Sequence, residues 1–513
     1  MNQIGYLITR SGRYYKDNIA IIDNEQIYSF KEVNENSNAI ARGLLSLGLE
    51  KGDRVAVLLK NSANFVFCDF SLAKSGLVRV PINPKLKENE IEYILKDVEA
   101  KAIIFDSSFR EIIKKIKDSL THLEYIIQSN TDLNDEQPSL QRWISTRCKK
   151  DIIVETNDND PYQILYTSGT TGKPKGAVIS YRSRLETINN VFSDELEIKP
   201  HDRMLHVASL AHGSGSKVLP HFIKGAANVF IHKFSPEIFF EVVEKHKINN
   251  TFLVPTIIGM LLDYENRFNY NIHSLKNILY SASPMPKEML KKAIEFFGPV
   301  LVQVYALTEA PNPVLVLPKR EHLLLEDNDK LLESTGREVT NVQVKIVNDA
   351  GEETVEEEVG ELVVRGNNVM SGYWKRERDT QETIKDGWLY TGDLGFIDNN
   401  GYFYIVGRKK DMIISGGYNV YSREVEDAIY EIAGVKEVAV AGIPDEIWGE
   451  AVSAFIVLEN DNNLSVEQIK NHCKRCLANY KNPKNITIVA ELPKNANGKV
   501  DKNKLKEIYQ QQI

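Results

Sequence analysis

The chain carries, at Tyr166-Thr-Ser-Gly-Thr-Thr-Gly-Lys-Pro-Lys-Gly176, a short connection rich in glycines, hydroxyl groups and lysines, with apolar runs on both sides. Glycine lets a backbone turn its N–H groups toward one concavity, and hydroxyl and ammonium groups add donors and positive charge. The segment therefore predicts a polyphosphate-binding loop. It is not a Walker loop, because Gly172-Lys173 is followed by Pro174 instead of Ser or Thr. A flexible hydrophilic hairpin is the alternative, although linkers rarely combine so many hydroxyls with lysines and a rigid proline.

Helical and strand-like stretches alternate on both sides of this loop. Residues 33–47 have helical spacing of apolar positions, residues 54–59 have the pattern of a strand, and residues 64–74 are again helical. The alternation resumes from 201 to 305, with apolar runs at 228–231, 251–254 and 277–280. This rhythm is typical of α/β layers and predicts two parallel-sheet units.

The pattern of apolar runs and turn residues changes toward the C-terminus. Residues 339–406 form short runs separated by Gly, Asn and Asp turns, which predicts a small antiparallel, barrel-like β unit. A charged run then interrupts the strand pattern, and we place a domain boundary there. The predicted N-terminal domain is 1–408, and a small α+β C-terminal domain is 409–513. Within the latter, Ser422 is predicted to be a helix N-cap.

Composition excludes several classes of protein. At 513 residues the chain exceeds what one hydrophobic core supports, so at least two domains are expected. A net charge of −8 gives no electrostatic support for nucleic-acid binding. The N-terminus lacks a signal-peptide pattern, and no apolar run reaches membrane-spanning length. We therefore expect a cytoplasmic protein without integral membrane contact.

The cysteines do not indicate a disulfide framework, since the chain contains only 4 of them. Cys473 and Cys476 form a Cys-x-x-Cys pattern beside His472. Half of a zinc site is one interpretation. Because no second ligand pair is in view and structural zinc needs four ligands, the pattern favours two small residues on one helix.

The loop at 166–176 resembles the phosphate loop of the AMP-forming acyl-activating superfamily, which includes acyl-CoA synthetases, luciferases and the adenylation domains of peptide synthetases. The resemblance extends from about Tyr28 to Lys499 and implies an acyl-CoA synthetase with a mobile C-terminal lid. The further segments that carry it follow in the expected order. They are Tyr305-Ala-Leu-Thr-Glu, Tyr390-Thr-Gly-Asp-Leu-Gly, Gly407-Arg-Lys-Lys-Asp-Met-Ile-Ile-Ser-Gly-Gly-Tyr-Asn-Val and Leu492-Pro-Lys-Asn-Ala-Asn-Gly-Lys-Val-Asp-Lys.

The resemblance implies an ATP site. Tyr305 would stack on adenine, Thr308 would contact phosphate and Glu309 would hold Mg2+. Asp393 would accept hydrogen bonds from the two ribose hydroxyls, since a carboxylate accepts from two donors at once, and Arg408 would be a further ribose contact. The ATP-binding residues implied in this way are Thr167, Ser168, Gly169, Thr170, Thr171, Gly172, Lys175, Ser281, Ala282, Tyr305, Ala306, Asp393 and Arg408.

This sequence departs from the superfamily pattern at two places. Ala306 replaces the usual glycine of the Tyr-Gly-x-Thr-Glu motif, which is a mild change because both residues are small. Ser281 and Ala282 replace a usual glycine pair between the adenine and acyl pockets, so we expect a narrower passage there.

The implied catalytic set is Lys499, Thr308, Glu309 and His212. Lys499 matches the adenylation lysine of the superfamily, and His212 matches an aromatic residue that faces the substrate carboxylate. The neighbouring Gly213 and Gly215 are expected to open space beside His212.

The resemblance also implies a hinge between the domains. Lys410 lies at the pivot position, and Gly416 and Gly417 would face the pantetheine arm of coenzyme A after the C-terminal domain rotates.

The chemistry requires cations, because a carboxylate must attack the α-phosphate of ATP and both reactants are anions. We expect ATP, Mg2+ and coenzyme A to be used, with a small-molecule carboxylic acid of the fatty or aryl type as substrate. Loading of an acyl carrier protein by an acyl-AMP ligase is the first alternative, and a nucleotide-binding regulator with an inactive site is the second. The expected oligomeric state is a monomer or homodimer.

Overall fold

The computed structural model describes residues 2–130, 138–167, 173–326, 329–459, 464–495 and 499–510. Helices cover the faces of sheets throughout this part of the chain. The helices are α1 (Gln3–Tyr14), α2 (Phe30–Ser46), α3 (Ala63–Ser75), α4 (Glu88–Asp97), α5 (Arg110–Ile116), α6 (Leu140–Thr146), α7 (Tyr181–Asn190), α8 (Val218–Ile223), α9 (Pro236–His246), α10 (Pro255–Leu262), α11 (Lys287–Phe297), α12 (Glu377–Thr383), α13 (Ser422–Tyr430), α14 (Val466–Cys476) and α15 (Lys502–Gln510).

The strands of the N-terminal region and of the C-terminal region build separate sheets. The strands are β1 (Ile19–Asp23), β2 (Gln26–Ser29), β3 (Arg54–Leu58), β4 (Val78–Pro81), β5 (Ala102–Phe105), β6 (Tyr125–Gln128), β7 (Pro161–Tyr166), β8 (Gly176–Ser180), β9 (Arg203–His206), β10 (Ala227–Phe230), β11 (Asn250–Leu253), β12 (Asn277–Tyr280), β13 (Leu301–Tyr305), β14 (Leu315–Leu317), β15 (Arg337–Glu338), β16 (Val342–Val347), β17 (Gly360–Gly366), β18 (Gly372–Tyr373), β19 (Ile384–Lys385), β20 (Trp388–Ile397), β21 (Phe403–Arg408), β22 (Ile413–Ser415), β23 (Tyr418–Val420), β24 (Val435–Asp445), β25 (Gly449–Leu458) and β26 (Asn485–Ile488).

Two large sheets form the body of the N-terminal region. Within the described ranges, one has the order β15-β14-β13-β12-β11-β9-β10-β1-β2 and the other β18-β8-β7-β4-β3-β5-β6. Their inner strands pair in parallel, whereas β2, β8, β14, β15 and β18 add antiparallel pairs. Parallel strands covered by helices on both faces are buried along their length, as β4 and β12 are. The predicted pair of α/β units is therefore confirmed, with mixed edges.

The remaining sheets are small. Strands β16, β17, β19, β20 and β21 pair antiparallel, which confirms the predicted β unit between 339 and 406. In the C-terminal region β22, β23, β24 and β25 pair antiparallel, and β26 joins β25 in parallel beside α13, α14 and α15. A large α/β N-terminal part with a small α+β C-terminal part matches the expected fold class.

The prediction for Ser422 was wrong by one residue. Tyr421, with an extended backbone, occupies the N-cap position of α13, and Ser422 is its first helical residue. The Ser422 hydroxyl accepts a hydrogen bond from Lys502 Nζ at 2.8 Å. The Ser422 hydroxyl, which the local sequence pattern assigns to helix capping, is thus used in a contact with α15, which is distant in sequence.

None of the helices in the described ranges is long and apolar enough to cross a bilayer.

Candidate active site

The glycine-rich connection joins the ends of β7 and β8. Ser168, Gly169, Thr170, Thr171 and Gly172 lie outside the described residues, so the structure describes the flanks of the predicted loop. Thr167 and Lys175 pair across its base, since Thr167 N donates to Lys175 O at 3.0 Å. The flanks of the loop are thus the two strands of an antiparallel hairpin, β7 and β8, in the second sheet.

Lys175 links this hairpin to the residues that follow β18. Its Nζ lies 2.9 Å from Asp379 Oδ1 and 5.2 Å from the ring centroid of Tyr373. The Tyr373 hydroxyl in turn donates to Glu309 Oε1 at 2.7 Å. Tyr373 thus stands between the predicted phosphate loop and the predicted metal ligand.

A buttress of charged and phenolic groups supports the base of the loop. Asp97, at the end of α4, accepts a hydrogen bond from the Tyr166 hydroxyl at 2.8 Å and pairs with Arg376 Nη2 at 2.8 Å. The Tyr93 hydroxyl donates to Pro174 O at 2.9 Å on the other side of the loop. Because Tyr166 and Pro174 flank the loop, these contacts hold both of its ends.

The predicted adenine and ribose residues meet at one point. Tyr305, at the end of β13, donates its hydroxyl hydrogen to Asp393 Oδ2 at 2.6 Å, and Arg408 Nε lies 2.9 Å from Asp393 Oδ1. Asp393 and Arg408 are register partners on β20 and β21. Each carboxylate oxygen keeps a further acceptor direction, because a carboxylate offers about four lone-pair sites. Asp393 can therefore hold Tyr305 and Arg408 in place and still receive ribose hydroxyls.

Glu309 lies in the connection that follows β13. Its backbone carbonyl accepts from Met370 N at 2.7 Å, and its carboxylate accepts from the Tyr373 hydroxyl. Ala306, at the start of the same connection, packs against the apolar cluster under the sheet, and Thr308 directly precedes Glu309. A carboxylate oxygen anchored in this way fits the preference of Mg2+ for oxygen ligands supplied by one or two carboxylates and by substrate phosphates.

Lys499 enters the cleft from the C-terminal region. The Lys499 backbone N–H donates to Asn495 Oδ1 at 3.1 Å. Burial, together with repulsion from Arg408, lowers the pKa of Lys499, whereas Asp393 and Glu309 oppose that change. The predicted ribose residues Asp393 and Arg408 and the predicted metal ligand Glu309 therefore all act on the charge of Lys499.

His212 faces the same cleft. Burial, with a smaller contribution from the Lys499 ammonium, lowers the pKa of His212 to about 4. The imidazole is therefore neutral near pH 7. A neutral ring can lie beside a substrate carboxylate and the Lys499 ammonium without adding a second positive charge.

The glycines after His212 do not open space, contrary to the expectation. A Cβ atom on Gly213 would lie 3.0 Å from the Phe252 ring, and one on Gly215 would lie 1.9 Å from Leu210 O. Close packing against backbone requires glycine at 215, and at 213 a side chain would press on the Phe252 ring. The wall next to His212 is accordingly aromatic and tightly packed.

Ala282 follows β12 with a φ of +81°, in the left-handed region. A non-glycine residue in this region costs roughly 1–2 kcal/mol because its Cβ approaches the backbone. The replacement of the usual glycine pair by Ser281 and Ala282 thus keeps the backbone path that glycine favours.

The interdomain connection is a short 3-10 turn, Lys409–Asp411, between β21 and β22. Lys409 anchors its start to the small β unit through Asp349 at 2.9 Å and Glu361 at 3.3 Å. On α13, Arg423 donates to Ile405 O at 2.7 Å. These contacts hold the C-terminal region in the orientation that inserts Lys499.

Gly416 and Gly417 form the turn between β22 and β23. Their φ angles of +59° and +82° suit a two-residue hairpin turn of type I′. Both residues are exposed, and among the described contacts Gly416 N donates to Trp448 O at 2.8 Å. The coenzyme A role of Gly416 and Gly417 stays a prediction.

Sequence reasoning missed Tyr373, Asp97, Arg376 and Asp379. Arg376 and Asp97 are 279 positions apart in the chain, so no local pattern joins them. The aromatic pair Tyr373-Trp374 in an otherwise polar segment is the one signal that points to a buried role.

Comparison with known families identifies both regions. The model described as AMP-binding enzyme matches residues 8–374, and the model described as AMP-binding enzyme C-terminal domain matches residues 424–499.

Individual proteins are similar over almost the whole chain. A long-chain-fatty-acid–CoA ligase of Bacillus subtilis (strain 168) is 32% identical, covering 98% of this chain and 93% of the relative. A feruloyl-CoA synthase of Amycolatopsis sp is 31% identical, covering 93% of each. The crystal structure of the anthranilate CoA ligase AuaEII in complex with anthranoyl-AMP has a TM-score of 0.90 at 26% identity, covering 98% of this chain and 96% of that one.

Proposed function

The chain belongs to the AMP-binding enzyme family and is an AMP-forming acid–CoA ligase, and from this premise we propose that its substrate is a fatty or aromatic monocarboxylic acid. The observation that supports our assignment of the site is that the charges of Asp393, Glu309 and Arg408 act on the Lys499 ammonium, which in turn influences His212. The residues come from distant parts of the chain. A structural role alone gives no reason for a lysine from the C-terminal region to enter that cleft.

We propose the following roles in adenylate formation. Lys499 bridges the attacking carboxylate and the α-phosphate, so that two anions can approach each other. The loop around Lys175 holds the β- and γ-phosphates, and Asp393 with Arg408 orients the ribose. Glu309 is the protein ligand for Mg2+, which when bound neutralises charge on the phosphates. Pyrophosphate leaves, and the acyl group becomes a mixed anhydride with AMP.

The mixed anhydride then reacts with the thiol of coenzyme A. The thiol sulfur forms a bond to the acyl carbon, the bond to the AMP oxygen breaks, and AMP is released. In the orientation described, Lys499 fills the cleft and the turn at Gly416 and Gly417 is exposed. We propose that rotation about Lys410 withdraws Lys499 and brings this turn toward the thiol.

The substrate class rests on the relatives and on the wall beside His212. The named relatives act on long-chain fatty, ferulic and anthranilic acids. Phe252 lines this wall against Gly213, and the neutral His212 adds an aromatic surface. Transfer of an apolar or aromatic acyl group from water into such a site costs less free energy than transfer of a charged acyl group.

The deciding experiment is a coupled assay with a panel of acids. Purified enzyme, ATP and Mg2+ are mixed with saturated acids of increasing chain length, with benzoic and cinnamic acids, and with dicarboxylic and amino acids. Either coenzyme A or a pantetheinylated carrier protein is then added. We expect AMP release and a coenzyme A thioester with monocarboxylic acids. Acylation of the carrier protein alone would contradict the choice of thiol, and preference for amino acids would contradict the substrate class. The cytoplasmic location and the monomeric or homodimeric state stay predictions.

Replacing Asp97 by alanine is expected to raise the KM for ATP roughly ten-fold, with a smaller change in kcat. Asp97 holds Tyr166 and Arg376, and hydrogen bonds to a charged group contribute about 1.5–3 kcal/mol. Without that carboxylate the base of the phosphate loop loses its support. Steady-state kinetics at saturating acid would measure the effect. The matched control is Glu92→Ala on the same helix, whose exposed pair with Lys96 contributes little. An unchanged KM for ATP in Asp97→Ala would contradict the role.

A further inference from the structure

Three side chains of different chemistry converge on the surface of the C-terminal region. His472 Nε2 lies 3.4 Å from Glu431 Oε2 and 3.4 Å from Cys476 Sγ. Cys476 Sγ and Glu431 Oε2 are 4.0 Å apart. Each atom is a potential metal ligand, and all three lie within 4.8 Å of one another.

The cluster arises from helix geometry. His472 and Cys476 are four residues apart on α14, so their side chains lie on one face of the helix. Glu431 is the C-cap residue of α13, which places its carboxylate over that face. The pair suggested by the sequence, Cys473 and Cys476, does not converge, because Cys473 is buried in the core of the domain.

The spacing of the three atoms is close to that of ligands on zinc. Metal–ligand distances of about 2.0–2.3 Å and tetrahedral angles place neighbouring nitrogen, oxygen and sulfur ligands roughly 3.4–3.6 Å apart. Two of the three observed separations are 3.4 Å, and the third, at 4.0 Å, needs a small rotation of the exposed Glu431 side chain. Little reorganisation is therefore required for binding.

We propose that Glu431, His472 and Cys476 form a binding site for a divalent transition metal of the zinc class, with water as the fourth ligand. Thiolate and imidazole ligands select such metals over Mg2+ and Ca2+, which prefer oxygen. The site is separate from the Mg2+ ligand of the cleft. Glu431 and Cys476 are exposed, so water can reach the fourth position, and a surface cavity of about 540 Å³ adjoins His472.

The site has a structural consequence. A metal bound there cross-links the end of α13 to the C-terminal half of α14, two elements that otherwise meet through apolar packing. Lys474 and Arg475 flank the cavity and oppose a cation, which keeps the affinity below that of a structural four-ligand site. Binding therefore stabilises the folded domain in proportion to the metal present.

The test uses the full chain, freed of metal and titrated with Co2+, which reports a thiolate ligand through a sulfur-to-metal charge-transfer band. We expect one thiolate-bound Co2+ per chain, displaced by Zn2+ and not by excess Mg2+. Cys476→Ser should abolish the band, and His472→Ala should weaken binding roughly ten-fold or more, since even outer-sphere partners contribute factors of about 10–100. Glu431→Gln should also weaken the binding of Co2+.

The matched control is Cys148→Ser, which removes another exposed thiol outside the cluster. It should leave the Co2+ band and affinity unchanged. Circular dichroism of each variant would establish that it is folded, which is expected because all three ligand side chains are at or near the surface. A band that survives Cys476→Ser, or the absence of any thiolate band in the unmodified protein, would overturn the proposal.

Discussion

Lys499→Ala is expected to reduce the rate of acyl-adenylate formation by roughly two to three orders of magnitude, the loss seen when a preorganised donor to a developing charge is removed. The ammonium group lies in the cleft with Asp393 and Glu309 and is the one that we assign to the meeting of carboxylate and α-phosphate. Removing the ammonium group leaves the repulsion between the substrate carboxylate and the α-phosphate uncompensated. The folded domain should survive, because the side chain points into the cleft from a loop and packs into no apolar core.

The measurement is acid-dependent exchange of pyrophosphate into ATP, followed by thioester formation from a synthetic acyl-adenylate. The rate of pyrophosphate exchange should fall steeply. The rate of thioester formation should stay near that of the unmodified enzyme, because displacement by the thiol does not use Lys499. Lys504→Ala, at an exposed position of α15, is the matched control and should change neither rate. Exchange at the original rate in Lys499→Ala would remove the basis of the proposed mechanism.

Lys410→Pro is expected to slow thioester formation about a hundred-fold while adenylate formation falls far less. Proline fixes φ near −65°, which matches the 3-10 turn Lys409–Asp411 in the orientation described. The proline ring disfavours a second orientation with a different φ at this position, and the expected hundred-fold loss corresponds to about 2.7 kcal/mol. The substitution thus traps the orientation in which Lys499 occupies the cleft.

The two half-reactions separate the effect on rotation from the effect of the lost charge. Pyrophosphate exchange reports the first half-reaction, and single-turnover transfer from preformed acyl-adenylate to coenzyme A reports the second. Lys410→Ala removes the same ammonium group but leaves the backbone free, so it should support transfer at close to the original rate. An equal loss of both half-reactions in Lys410→Pro would contradict the assignment of Lys410 as the pivot.

Local patterns predicted the helices and strands correctly where a short window contained the whole signal. Helical spacing around residues 33–47 corresponds to α2 (Phe30–Ser46), and the apolar run at 277–280 is β12. The order of the motifs was sufficient to identify the family. Glycines and hydroxyls near residue 170 predict an anion-binding loop, and the strands that flank this segment, β7 and β8, form an antiparallel hairpin.

Other features escaped local reasoning because their partners are distant in the chain. Tyr373 donates a hydrogen bond to Glu309, which is 64 positions away in the chain, and Lys502 donates one to the hydroxyl of Ser422, which is 80 positions away. The glycines after His212 were interpreted as space, whereas Phe252 and Leu210 O fill that space. The cysteine pattern showed a similar limit, since α14 turns Cys473 into the core and Cys476 toward Glu431.

Residue type and spacing along the chain were thus enough for the α/β fold class, and the resemblance of the ordered motifs to the acyl-activating superfamily supplied the family and the reaction. The convergence of Lys499 on the cleft, the buttress at Asp97 and the cluster on α14 came from packing. Such contacts depend on how separate sheets and helices bury their apolar faces against one another, and burial on that scale is a property of the whole folded chain.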